Sequence, residues 1–90
     1  MVEPLDAYNL VKKSVVSKRS DLSICEMYDY RDKYFFVLEK EGSDYAYDNV
    51  YYVDKDSGEI TQKHFMESAI EDSSEDMKPI DFSQFEKRVE

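Results

Sequence analysis

Cys25 and His64 are the only thiol and imidazole in this chain of 90 residues, and together they make the single pair from which a nucleophile and its base could be drawn. Such a pair works when the thiol is exposed at a helix start and the imidazole lies within hydrogen-bond reach. The residues around Cys25, Leu22-Ser23-Ile24-Cys25-Glu26-Met27, read as strand and carry no protease signature, so the expected role is a buried or half-buried structural thiol. Oxygen ligands gather at Asp54-Lys55-Asp56-Ser57-Gly58-Glu59, where a calcium loop comes to mind. In a calcium-binding helix-loop-helix, however, acids occupy loop positions one, three and five before a Gly at six and a Glu at twelve. Counted back from Gly58, position one is Val53 and position twelve is His64, so the segment reads as a polar hairpin turn. Asp and Glu are abundant enough to fall into pairs by chance, and two isolated Gly cannot build a phosphate-cradling loop. The expectation is a chain with no catalytic residue, no metal and no cofactor.

Recognition is the chemistry that these residue types favour instead. Seven of the eight Tyr lie between positions 28 and 52. Tyrosine offers large amphipathic area at low entropic cost and is enriched where proteins touch. Tyr28, Tyr30 and Tyr52 are the expected outward-facing members. The second candidate surface is acidic: Glu67, Glu71, Asp72, Glu75 and Asp76 lie between Met66 and Asp76 with no basic residue among them, a run expected to be solvated.

Net charge sharpens the choice of partner. Residues 1–40 carry seven basic and seven acidic residues, whereas residues 41–90 carry five basic and fourteen acidic, so all of the net −9 falls in the second half. Such a surface repels phosphate backbones and attracts basic ones. The expected partner is a protein with a basic surface, not nucleic acid, and a homodimer is the alternative. No apolar run reaches the ~18 residues of a membrane span. The N-terminus lacks a basic region followed by an apolar one, and one Cys fits a reducing compartment, so a cytoplasmic location is expected. A secreted chain whose leader has been removed would read the same.

The elements that position these residues follow from spacing. Residues 4 to about 18 read as an amphipathic helix, with Pro4 in its first turn, Lys12, Lys13, Lys18 and Arg19 towards its end, and Leu5, Tyr8, Val11 and Val15 in one stripe. Residues 22–30 and 33–40 read as a strand pair joined at Arg31-Asp32, and the unbroken apolar run from Tyr34 to Leu38 predicts a central strand with both faces at least partly covered, one of them by the helix. A third strand runs from Tyr45 to Asp54, with Tyr45, Tyr47, Tyr51 and Val53 on the face expected to be covered. Glu59 to Gln62 is a short fourth. Phe65 to Ile70 reads as a short helix, and Phe82 with Phe85 is expected to dock the tail. The fold class is α+β: an N-terminal helix on a three- to four-stranded antiparallel meander. One domain spans residues 1–62, and an acidic extension over 63–90 docks on it.

The third strand ends Tyr51-Tyr52-Val53-Asp54-Lys55-Asp56-Ser57-Gly58-Glu59-Ile60. In this ending, after a helix and two strands, residues 4–62 resemble the small PepSY-type domain and, more broadly, cystatin-like helix-on-sheet modules. Val53, Asp54, Gly58, Glu59 and Ile60 carry the likeness. The resemblance implies a non-catalytic module that restrains a peptidase, and it carries over no catalytic residue.

Overall fold

The computed structural model describes residues 1–86 and has an α+β architecture. Helix α1 (Pro4–Ser14) lies on one face of a five-stranded antiparallel sheet built from β1 (Leu22–Tyr30), β2 (Lys33–Lys40), β3 (Ala46–Asp54), β4 (Ile60–His64) and β5 (Met77–Pro79). The strand order β4-β3-β2-β1-β5 makes the first four a meander. The chain then crosses the sheet through α2 (Phe65–Glu71) and returns as β5 beside β1. The fourth strand extends to His64, beyond residue 62, and the tail supplies a fifth strand.

Helix α1 starts where Pro4 presets the backbone and ends early, at Ser14, ahead of a short 3-10 turn over Val16–Lys18. Consecutive β-branched Val15 and Val16 lose rotamer freedom against a preceding helical turn, which favours termination there. The helix buries Ala7, Tyr8 and Val11 against Leu22, Ile24, Met27, Tyr34, Phe36, Leu38 and Val53. Phe82 and Phe85 close this layer from the tail, their rings 5.6 and 5.5 Å from that of Tyr8.

Strand β2 is apolar on both faces because one is covered and the other partly so. Phe36 and Leu38 face α1, while Phe35 joins a second buried cluster with Tyr30, Val50 and Tyr52 on the opposite, distal face. The two faces of β3 divide accordingly: Val53 is fully buried beneath α1 with Tyr47 and Tyr51 partly so, but Val50 and Tyr52 are buried too. Tyr45 precedes the strand and is exposed.

Two turns and two breaks in pairing, one between β1 and β2 and one between β2 and β3, set the register. Arg31, in the left-handed region at φ 55°, opens the two-residue connection between β1 and β2. The Asp54 carboxylate closes the turn after β3 by accepting from the amides of Asp56 at 2.8 Å and Ser57 at 2.9 Å, with Gly58 at φ 78°. Those amide bonds hold the Asp54 carboxyl below its usual range. In β1 the pairing with β2 slips between Ile24 and Glu26, leaving Cys25 as the extra residue. Cys25 is exposed, contrary to the buried or half-buried thiol expected from its neighbours, because alternation from Leu22 and Ile24, which face α1, turns it to the opposite face, and the bulge keeps Glu26 outward as well.

A reactivity follows from that position. Partial burial, Glu39 and Glu26 all push the Cys25 thiol up. One thiol per native chain should react with a maleimide without denaturant, at a rate still climbing above pH ~8.5, the ordinary thiol range. A rate that plateaus at or below that pH contradicts the stated environment.

Candidate functional site

The distal face is only half covered. Helix α2 has seven residues and is about 10 Å long, whereas the nine residues of β3 span roughly 30 Å. What α2 leaves open is an apolar groove of about 780 Å³, within the ~300–1,000 Å³ typical of ligand sites. Phe35 and Val37 of β2 with Ala46 and Val50 of β3 line it, and Phe65 and Ala69 of α2 line it from the helix. Apolar surface continues outwards, with Met66 and Ile70 at four-residue spacing on α2 exposed by 59% and 83%.

The helix is held in place by a polar latch. Asp72, just after α2, accepts from the Tyr52 hydroxyl and from Ser68 Oγ at 2.7 Å, and Lys63 Nζ stands 3.9 Å away. The Tyr30 hydroxyl accepts from the Ser73 amide at 3.1 Å. Lys63 also pairs with Glu71 at 2.8 Å, and Lys63 and Lys33 lie over the Tyr52 ring at 5.3 and 5.6 Å. Beyond the latch, Arg31 pairs with Asp76, its Nε 3.0 Å from the carboxylate. His64 starts α2 by accepting from the Met66 amide at 3.2 Å through Nδ1 and stacks on Phe65.

Burial would raise the Asp72 carboxyl, but hydrogen bonds from Tyr52 and Ser68, with the charges of Lys63 and Lys33, outweigh it and hold the group below its ordinary range. Burial and then the bond to Asp72 push the Tyr52 hydroxyl up to about 12. A carboxyl lowered in the folded state stabilises that state fully above its unfolded pKa of about 3.9, and the contribution is lost as pH falls through the lowered folded value. Protection of the α2 amides relative to their intrinsic exchange rate should thus fall with acid over that window. In Asp72→Asn that acid step should be absent; an unchanged step would assign it elsewhere.

Each residue expected to make contacts has a definite place. Tyr52 and Tyr30 are buried at 5% and 2% exposure, not outward-facing, because α2 and the residues that follow it cover the face on which they sit. Tyr28 is half-buried and donates to Glu26 at 2.6 Å; that bond first, then burial, pushes its hydroxyl up to about 12. Asp72, expected in a solvated run, has a side chain only 10% exposed. Glu67, Glu71, Glu75 and Asp76 are exposed. Tyr30, Tyr52, Glu71 and Asp72 thus come together at the latch, while Asp76 sits apart with Arg31 and Glu67 lies on the outer side of α2. The groove residues Val37, Ala46, Val50 and Ala69 were not singled out by sequence. Their one signal was the unbroken apolar run of β2, which required a second covering layer.

Cys25 in β1 and His64 at the end of β4 are separated by β2 and β3, roughly 14 Å at ordinary strand spacing. They do not form a pair. Among the described residues no three His, Cys, Asp or Glu side chains converge as metal ligands, and no helix is long and apolar enough to cross a membrane. No family model matches the chain, and neither a curated protein nor a solved structure is found similar to it.

Proposed function

We propose that the protein is a small non-catalytic binding module that uses the distal groove and its acidic surroundings to hold a partner with apolar side chains set among basic ones. One observation carries the reading: a chain of net charge −9 leaves an apolar groove open and exposes Phe65, Met66, Ile70 and Tyr45 around it. Contiguous exposed apolar surface is costly in water and marks contact sites. The negative field adds long-range attraction for a basic protein and speeds encounter. An inhibitor or immunity protein that occupies a basic substrate site is one form of this role. A restrained peptidase is the form implied by the likeness of residues 4–62 to PepSY-type domains.

Ala69→Glu places a charged side chain at an exposed lining position without disturbing a helix interior. The native protein should retain a host partner at low salt, and Ala69→Glu should lose it while melting at the same temperature. Equal retention by both removes the groove from the function. A self-associating structural domain is the second reading, favoured by exposed Met66 and Ile70. A stable dimer in sedimentation that Met66→Lys dissociates would establish it in place of the first.

A further inference from the structure

We infer that the occupant of the distal groove is an amphipathic helix with a basic back, lying on β2 and β3 beside α2. This rests on the binding role proposed above and specifies its ligand.

The floor of the groove decides between helix and strand. Phe35, Val37, Ala46 and Val50 belong to β2 and β3, which are interior strands in the order β4-β3-β2-β1-β5. The backbone groups of Phe35, Val37 and Val50 are committed to neighbouring strands on both sides, whereas Ala46 pairs with Glu39 alone, beyond the end of β4. An extended segment laid on this floor would meet side chains only, so its own amides and carbonyls would lack the partners that strand addition supplies at a sheet edge. A helix brings its backbone bonds with it and needs only an apolar stripe.

Layering points the same way. On the near face α1 covers the sheet with eleven residues, whereas on the distal face α2 supplies seven. A second helix beside α2 would complete a helix layer on that side, the usual way to bury an exposed sheet face. Its apolar side chains would meet Val37 and Val50 below and Phe65 and Ala69 alongside, and Met66 and Ile70 extend the apolar contact beyond the groove. That continuation makes the site broader than a small molecule needs.

Charge determines the other side of the helix. Asp48 lines the groove, Asp44 precedes it in the turn before β3, and Glu67 lies at an exposed α2 position. Lys63 and Lys33 are turned onto Tyr52, Lys63 is paired with Glu71, and Lys40 is the exposed cation beside Ala46 and Asp48. A helix bearing Lys or Arg away from its apolar stripe complements these acids; one bearing Glu meets repulsion.

The chain contains no Trp, so the emission of a Trp-bearing probe peptide reports its own environment alone. Three synthetic peptides of about four helical turns are suited to the test. The first sets Leu and one Trp at helical spacing with Lys elsewhere, the second alternates the same residues, and the third is the first with Glu for Lys. The first should bind with a blue shift of Trp emission, at least about tenfold tighter than the other two, a difference of about 1.4 kcal/mol. Ala69→Glu and Ala46→Glu should each weaken it by a similar factor with unchanged melting temperature, and Lys12→Glu on α1 should not weaken it. Equal binding by the alternating or the acidic peptide, indifference to both groove substitutions, or no binding at all overturns the helical assignment. Loss of host-partner retention in Ala69→Glu would still support the broader binding role, so the two can fail separately.

Discussion

Phe36→Ala should leave the protein largely unfolded at physiological temperature. Phe36 is fully buried at the centre of β2, paired with Met27 on one side and Tyr51 on the other, and faces α1. Removing a buried phenyl ring costs about 3–5 kcal/mol, the lost transfer energy plus the cavity left behind. A domain of this length is stabilised by only about 5–13 kcal/mol. At the lower end of that range nothing remains. Thermal melts should show the midpoint falling by about 15 °C or more. Phe36→Leu, which keeps most of the volume, should retain a cooperative melt. A midpoint within about 5 °C of the native protein for Phe36→Ala would mean that the layer beneath α1 is not the main core.

The second large effect is local. Asp72→Ala removes the acceptor shared by Tyr52 and Ser68 and one partner of Lys63. Two hydroxyls against the sheet then lose their hydrogen bonds, at a cost of about 2–3 kcal/mol. The loss should fall mainly on α2 and β5, which make few contacts apart from this latch and the short pairing with β1. Hydrogen exchange in residues 65–79 should accelerate by roughly 30- to 150-fold while β2 stays protected. Tyr52→Phe should produce part of the same effect, and the double substitution should fall short of the sum by about 1 kcal/mol or more, since both remove one contact. Strict additivity would show that Tyr52 and Asp72 do not act together.

Much of the fold was legible because its long elements have strong periodicity. The stripe through Tyr8 and Val11 identified α1, and the β-branched and aromatic runs identified β1 and β2 with their ends in place. Strand β5 was not legible: Met77-Lys78-Pro79 is too short for any pattern, and only its pairing with Tyr28–Tyr30 makes it a strand. The place where α2 packs was not legible either, and that misplaced the tyrosines. Without a layer over the distal face, Tyr30 and Tyr52 read as outward, whereas Asp72 and Ser73, just after α2, make them the anchors of the latch. Cys25 was misread because apolar neighbours in a strand do not fix burial: alternation from Leu22 and Ile24 turns it outward. The groove depends on the difference in length between α2 and the strands it crosses. That is a tertiary property which residues 65–71 do not encode by themselves.

The binding role can be tested where the protein works. A photo-reactive amino acid at position 46, on the groove floor, should cross-link to a partner in host cells, and the Ala69→Glu background should abolish the product. The same reagent at exposed position 9 on α1 should give none. Cross-linking from position 9 but not from position 46, or a product unaffected by Ala69→Glu, would contradict the assignment of the distal groove as the recognition site.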